Sequence, residues 1–309
     1  MTASSTSLLE IIESVDSFKW NDSFYKLLTH DGQSVLGYIT PFNAKFLETT
    51  ASSFEVNHEK KTIKISGEYD TFEKRNEMFA EVGNKLRYLP EFDELLNKGW
   101  RDELYTVYYP STVPYILIER AFSVLLGVVT YGVHINGYVA PEDSSNGKLK
   151  MWIPRRSLTK PTYPGMLDNT VAGGLGYPYG LEETVIKECY EEAGLEEEFV
   201  RSHIKTTGVV SYMYLTKDGR VQPEVEYIYD IKFDNEENII KPQDGEAEDF
   251  QLLDVDEILD KLHEKKFKPN CGLVIVDFLI RHGFICPDNE PNYLEIVSRC
   301  HVKMPFACR

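Results

Sequence analysis

The chain has 309 residues, of which 42% are hydrophobic and 27% charged, so it has the composition of a folded globular protein with room for about two domains. Its 50 acidic and 33 basic residues give a net charge of −17, and a surface this acidic argues against a nucleic-acid partner. Apolar runs stay shorter than the roughly 18 residues that a membrane span needs, so we expect no membrane association.

The N-terminal stretch and the cysteines both bear on location. Residues 1–18 include Glu10, Glu13 and Asp16 and lack the basic residues of a secretory signal or transit peptide. The cysteines are widely spaced and form no C-x-x-C pair, which argues against a zinc site or a disulfide framework. We therefore expect reduced thiols and a cytoplasmic location. The five cysteines are Cys189, Cys271, Cys286, Cys300 and Cys308.

The first hundred residues predict two β-hairpins and a helix. FYKLL and SVLGYI lie on either side of a turn at Asp31-Gly32, and FEV and TIKI lie on either side of NHEKK. Further on, apolar residues recur at helical spacing from Asp70 or Thr71 until Pro90, which ends the pattern. This alternation predicts an N-terminal α+β domain.

The segment YTVYYPSTVPYIL predicts a strand that runs into a connector, and we place a domain boundary near Leu117. Residues 1–117 then form the first domain and residues 118–309 the second. The second domain has the pattern of an α/β unit, with a helix from Leu181 to Ala193 in its middle. Its strands are predicted in LLGVVTYGVHINGYVA, KLKMWIP, VVSYMYLT and EVEYIYDIKF, and its closing helices in VDEILDKLHEKKF and CGLVIVDFLIRHG.

The segment AGGLGYPYGLEETVIKECYEEAGL, residues 172–195, contains a cluster of glutamates. In the predicted helix, Glu188, Glu191 and Glu192 stand at i, i+3 and i+4 and share one arc beside an apolar stripe. Like charges at this spacing destabilise a helix, and a hard divalent cation such as Mg²⁺ or Mn²⁺ removes that cost. The spacing by itself also suits a solvated acidic face.

The same segment resembles the Nudix box, G-x5-E-x7-R-E-U-x-E-E-x-G-U, where U is apolar. Thirteen residues separate Gly173 from Lys187, as the box requires, and KECYEEAGL fills its second half. Tyr179 stands at the glutamate position and Lys187 at the arginine position. In the family these two positions mainly brace the loop and helix, so the departures bear on loop geometry and substrate fit. The resemblance implies a metal site of Glu188, Glu191 and Glu192.

The resemblance extends beyond the box. WIPRRSLTKPTYPGMLDNTVAGGL and the later DGEAEDF are similar to a subgroup of fungal and plant Nudix proteins with an additional N-terminal domain of the DUF4743 type. This similarity implies a Nudix-type α/β/α sandwich with a mixed sheet. It also implies a metal-dependent hydrolase that cleaves a diphosphate linkage. The substrate implied is thiamine diphosphate or an oxidised analogue (oxo- or oxythiamine diphosphate), converted to the monophosphate and phosphate.

Cleavage of a diphosphate also needs a general base. Our candidate is Glu246, which together with Glu248 belongs to an acidic segment that we predict as a loop past the last strand. A glutamate of the box is the alternative. The predicted catalytic residues are accordingly Glu191, Glu192 and Glu246.

Basic, glycine and aromatic residues near the box are candidates for substrate binding. Guanidinium and ammonium groups suit phosphate, although neighbouring residues in a strand point to opposite faces. Glycines let the backbone approach phosphates, and aromatic rings suit the cationic ring of thiamine. The predicted substrate-binding residues are Arg155, Arg156, Lys160, Gly173, Gly174, Tyr177 and Tyr179.

Other functions remain open at this stage. The substrate is alternatively a nucleoside diphosphate derivative such as ADP-ribose or a dinucleotide. A ligand-binding module that uses a Nudix fold without turnover is a second alternative, although it has no need of a metal-binding glutamate triad. In each case the expected partner is a small molecule. Three roles stay open for the N-terminal domain: it shapes the pocket, forms a homodimer surface, or only stabilises the second half.

Overall fold

The computed structural model describes residues 7–237 and 240–309. The N-terminal half contains a four-stranded sheet in the order β2-β1-β4-β3, in which β1 runs antiparallel to β2 and parallel to β4. The two predicted hairpins are confirmed as the antiparallel pairs β1–β2 and β3–β4. These strands are β1 (Tyr25–Leu28), β2 (Val35–Ile39), β3 (Phe54–Asn57) and β4 (Thr62–Ile65).

The predicted helix after Asp70 is confirmed as α3, and Thr71 caps it by accepting a hydrogen bond from the Lys74 backbone N–H at 3.3 Å. The strand predicted from Leu125 begins only at Thr130, because the preceding residues form a helix that ends at Gly127 with φ +59°. The first four helices are α1 (Leu8–Val15), α2 (Pro41–Thr50), α3 (Phe72–Arg87) and α4 (Arg120–Leu126).

The predicted connector after Tyr108 is wrong, since this segment returns as a second strand. The strands β5 (Leu104–Tyr108) and β6 (Pro114–Glu119) form an antiparallel hairpin, in which Pro114 is the first residue of its strand. Proline is tolerated there because the first residue of a strand need not donate to a neighbour. The core of the N-terminal half runs from Tyr25 to Val128. The boundary near Leu117 stays a prediction.

The C-terminal half is built on a six-stranded mixed sheet in the order β10-β11-β7-β8-β12, with β9 beside β7. Strands β7 and β11 are parallel and the other pairs antiparallel, so the predicted mixed sheet is confirmed. The strands are β7 (Thr130–Val139), β8 (Lys150–Arg156), β9 (Val171–Gly174), β10 (Ile204–Leu215), β11 (Val221–Phe233) and β12 (Ala247–Asp254).

Helices cover both faces of this sheet. Helix α5 and the adjoining α6 pack on one face, whereas α7, α8 and α9 share a core with the other face. Helix α1 joins that second core, so residues near the N-terminus pack on the C-terminal half. Within the described residues, we find no helix with the length and apolar character of a membrane span. These helices are α5 (Leu181–Ala193), α6 (Glu197–His203), α7 (Val255–His263), α8 (Pro269–Arg281) and α9 (Tyr293–Arg299).

A buried ion pair fastens α8 to the sheet. Asp230 of β11 is 5% exposed, and Arg281 reaches it with N–O distances of 2.6 and 3.1 Å. Asn136 donates a further hydrogen bond to Asp230 Oδ1 at 3.1 Å. Burial acts to raise the pKa of Asp230, but His282, Arg281 and Asn136 outweigh it and hold that pKa below 3.8.

We expect Asp230→Asn to lower the free energy of unfolding by about 2–3 kcal/mol at pH 7, because Arg281 loses one of the two carboxylate partners that it has among the described residues and keeps only Asp277. The pKa of Asp230 is lower in the folded state than in the unfolded state. Its contribution to the free energy of unfolding is therefore complete above pH 3.8, and it is lost as the pH falls through the lowered folded-state pKa. Urea unfolding of both proteins between pH 7 and pH 2 measures the difference. A deficit of equal size at both ends of this range contradicts the assignment.

Candidate functional site

The predicted glutamate helix is confirmed as α5, and it follows a glycine-rich segment that begins in β9. The helix starts after Gly180, whose N–H donates to the Glu183 carboxylate at 2.8 Å, and it ends at Gly194 with φ +65°. Val185, Cys189 and Ala193 are buried, as the apolar stripe predicts. Burial raises the pKa of the Cys189 thiol, so this residue packs as a small apolar group.

Glu188 lies against the backbone of the glycine segment. A Cβ placed on Gly173 would lie 2.4 Å from Glu188 Cδ, so only glycine leaves room for this side chain. Lys187 Nζ contacts Glu188 Oε1 at 3.0 Å and Glu191 Oε2 at 2.8 Å. Burial raises the pKa of Glu188 in spite of Lys187. Glu191 is exposed on the outer side of the helix.

Glu192 lines a small cavity of about 20 Å³, and it shares one arc of the helix with Glu188 and Glu191. Its Oε2 accepts a hydrogen bond from the Ala172 backbone N–H at 3.1 Å. Burial, together with the nearby carboxylates of Asp168, Glu188 and Glu246, raises the pKa of Glu192 well above its ordinary value. Ionised Glu192 therefore stands in an anionic environment.

This environment fits a divalent cation. The cations nearest the cavity are already engaged, since Arg156 pairs with Asp168 at 2.5 Å and Lys160 with Glu246 at 2.5 Å. Oxygen donors around a half-buried carboxylate that has no cationic partner among the described residues are the ligands that Mg²⁺ and Mn²⁺ prefer. Across residues 7–237 and 240–309, no three His, Cys, Asp or Glu side chains form a ready-made ligand set. Lys187 must release Glu188 and Glu191 before both can bind one ion.

Glu246 lies at this cavity, directly before β12. The prediction that it and Glu248 belong to a loop past the last strand is wrong for Glu248, which lies within β12. The sequence AEDFQLLD alternates only weakly because β12 is an edge strand with a largely solvated face. The backbone carbonyl of Glu246 accepts a hydrogen bond from Ser157 at 2.8 Å, which fixes its position.

The predicted basic cluster is divided by β8. Arg156 is 8% exposed, and its guanidinium donates to Asp168 and to the carbonyls of Thr162 and Tyr163, so it braces the loop beside Glu192. Arg155 points to the opposite face, 3.9 Å from Asp249. The structure brings Arg156 and Lys160 to the Glu192 cavity and leaves Arg155 outside it.

The predicted substrate-binding glycines and tyrosines do not line the Glu192 cavity. Gly173 and Gly174 lie in β9 and pair with β7, and a Cβ on Gly174 would lie 2.1 Å from the Tyr105 hydroxyl. Tyr177 and Tyr179 are 50% and 48% exposed. Neither is among the described residues that line the cavities beside Glu192 and Gly173.

A larger cavity, which we call the inter-half cavity, lies between the β5–β6 hairpin and the sheet of the C-terminal half. Its volume is about 170 Å³, and both halves of the chain contribute to it. Its polar residues are not among the predicted site residues, although Gln222, Glu224 and Glu226 alternate along one face of β11 and this alternation is visible in the sequence. Its lining includes Tyr105, Arg120, His134, Gly173, Gly174, Glu224, Glu226 and Lys268.

Both halves of the chain are similar to known protein families. Residues 138–271 match the NUDIX domain, and residues 8–130 match a domain of unknown function, DUF4743. The uncharacterized protein YJR142W of Saccharomyces cerevisiae is 43% identical over 97% of this chain and 92% of its own length. Nudix hydrolase 20, chloroplastic, of Arabidopsis thaliana is 34% identical over 86% of this chain and 70% of its own. An Ap4A hydrolase of C. elegans, 13% identical, covers 50% of this chain and 99% of its own with a TM-score of 0.36.

Proposed function

From the premise that this chain belongs to the Nudix hydrolase family, we propose that it converts thiamine diphosphate or its oxidised analogues to the monophosphate and phosphate. That the chain is a Nudix hydrolase follows from its relatives. The substrate, the metal and the roles of individual residues are the proposal. The observation that supports it most is Glu192, a carboxylate in an anionic cavity beside the glycine segment.

Nudix hydrolases generally use divalent metal ions, and we assign Mg²⁺ or Mn²⁺ to Glu188, Glu191 and Glu192. When bound, such an ion neutralises phosphate oxygens and lowers the pKa of a coordinated water. The protein has to hold the three carboxylates in place. Glu188 packs against the backbone of Gly173. Glu192 accepts a hydrogen bond from the backbone N–H of Ala172.

The remaining residues orient the substrate and move a proton. Lys160 is held beside Glu246 and supplies a positive charge near the phosphates. Glu246 accepts a proton from the attacking water while the oxygen of that water forms a bond to the terminal phosphorus. The bridging P–O bond breaks, and the monophosphate leaves with the bridging oxygen.

A substrate panel tests this proposal directly. The full-length protein is incubated with Mg²⁺ or Mn²⁺ and with thiamine diphosphate, oxothiamine diphosphate, ADP-ribose or a diadenosine polyphosphate. We expect the highest kcat/KM for a thiamine diphosphate compound. A higher kcat/KM for ADP-ribose or the diadenosine polyphosphate overturns the proposed thiamine substrate and favours a nucleoside diphosphate derivative. Failure of every compound to turn over favours the binding module.

Gly173→Ala should lower kcat/KM about tenfold or more, because the added Cβ would lie 2.4 Å from Glu188 Cδ and displace a proposed metal-binding carboxylate. Gly180→Ala is the matched control. Its Cβ would lie 3.5 Å from Glu183 Oε2, an ordinary contact, at a φ of −80° that alanine adopts. Steady-state kinetics compare the two variants. Equal activities would show that the position of Glu188 is unimportant.

A further inference from the structure

Glu226 lies at the wall of the inter-half cavity with an unsatisfied oxygen. The residue is 6% exposed, and among the described residues Glu226 Oε2 has no hydrogen-bond partner. His134 Nε2 lies 3.7 Å from this oxygen, which is within reach of an ion pair but too far for a hydrogen bond. A buried acceptor left without a hydrogen bond is costly to the folded protein, and a ligand donor in the cavity would remove that cost.

The other polar side chains that the structure describes around Glu226 do not donate a hydrogen bond to Oε2. The Tyr212 hydroxyl lies 2.9 Å from Glu226 Oε1 and 2.5 Å from Glu224 Oε2, but it carries one proton for two carboxylates. Gln222 donates to Glu224 at 2.5 Å. The pair of carboxylates therefore has more acceptor capacity than these side chains satisfy.

Positive groups around the cavity offset the repulsion between the carboxylates of Glu224 and Glu226. His134 and Lys268 line the same cavity, and Arg120 at its edge pairs with Glu103 at 2.9 Å. Burial acts to raise the pKa of Glu226, but His134, Tyr212 and Lys268 outweigh it and lower that pKa. Glu226 is thus ionised at neutral pH and is a strong acceptor for a donor that enters the cavity.

The inter-half cavity reaches the glycine segment that contacts the proposed metal-binding glutamates. Gly173 and Gly174 line it, and Gly173 lies against Glu188. A ligand whose diphosphate lies over Gly173 would extend its organic group towards β11. A Cβ on Gly132 would lie 2.2 Å from Glu226 Oε2, so the glycine there leaves room for this carboxylate at the cavity wall.

We propose that the inter-half cavity binds the organic head group of the substrate, and that Glu226 Oε2 accepts a hydrogen bond from an amino-substituted nitrogen heterocycle. This inference rests on the proposed function for the position of the diphosphate. Glu226 then determines specificity, because a head group without an N–H donor leaves the buried carboxylate unsatisfied. The N-terminal half completes this subsite through Tyr105 and Arg120.

Head-group binding can be measured separately from hydrolysis. Free thiamine and adenosine carry an amino heterocycle and no phosphate, and each is titrated into the full-length protein without metal by calorimetry. We expect thiamine to bind, and Glu226→Ala and the isosteric Glu226→Gln each to weaken it about tenfold or more. Glu142→Gln, which alters an exposed pair with Lys232, is the control and should leave binding unchanged.

The outcomes separate this inference from the proposed function. Adenosine binding that depends on Glu226, in place of thiamine binding, supports the subsite and moves the substrate to the nucleoside class. Loss of binding in the Glu226 variants supports the subsite even if the panel shows no turnover. The inference is overturned if neither head group binds to the unmodified protein, or if the folded Glu226→Gln variant binds as tightly as the unmodified protein.

Discussion

We expect Glu192→Gln to lower kcat/KM for diphosphate hydrolysis by about a thousandfold, on the order of the loss of a major electrostatic group at a reacting centre. The same variant should be as stable as the unmodified protein or more stable. Burial and the carboxylates around Glu192 raise its pKa, so the ionised form at neutral pH costs the folded state free energy. Glutamine removes that charge and keeps the shape.

Steady-state kinetics and thermal unfolding together check this combination. Glu182→Gln is the matched control on the same helix, since Glu182 is exposed and pairs with Arg201. It should keep activity within about twofold, because surface pairs of this kind contribute little. Near-full activity in Glu192→Gln would remove Glu192 from the site. A large drop in its melting temperature would assign it a structural role.

The second large effect concerns Glu246. We expect Glu246→Gln to lower kcat about a hundredfold and to change KM little, because a general base acts mainly on the chemical step. Glutamine cannot take the proton from the attacking water, yet it still fits beside Lys160 and its backbone contact with Ser157 is unaffected.

Glu248→Gln serves as the comparison for Glu246. Glu248 lies two residues further on and accepts a hydrogen bond from the Leu158 backbone N–H at 3.0 Å. Its replacement should leave kcat within a few-fold. If Glu246→Gln keeps its kcat as well, the base is one of the box glutamates.

The features that the sequence predicted are those with local causes. The bounds of α5 follow from apolar residues at helical spacing and from Gly194, which ends the helix. The two hairpins follow from short turns between apolar runs. The arrangement of Glu188, Glu191 and Glu192 on one arc is a property of the helix itself.

The features that it missed depend on distant residues. The role of Arg156 is set by Asp168, to which it is bound within a loop that the local pattern does not define. The inter-half cavity exists because Tyr105 packs on Gly174 and because β11 lies beside β7. The sequence predicts the last two residues of α4, Leu125 and Leu126, as strand because the apolar run continues from them into β7. No local pattern contains these contacts.

Titration of Mn²⁺ into the full-length protein tests the central claim, that the glutamates of α5 bind a divalent cation. Calorimetry compares the unmodified protein with a variant in which Glu188, Glu191 and Glu192 are all glutamine, and Glu182→Gln is the control. We predict binding in the unmodified protein and the control, with loss of the same binding event in the triple variant. Absence of binding in the unmodified protein, or equal binding in the triple variant, would contradict the account.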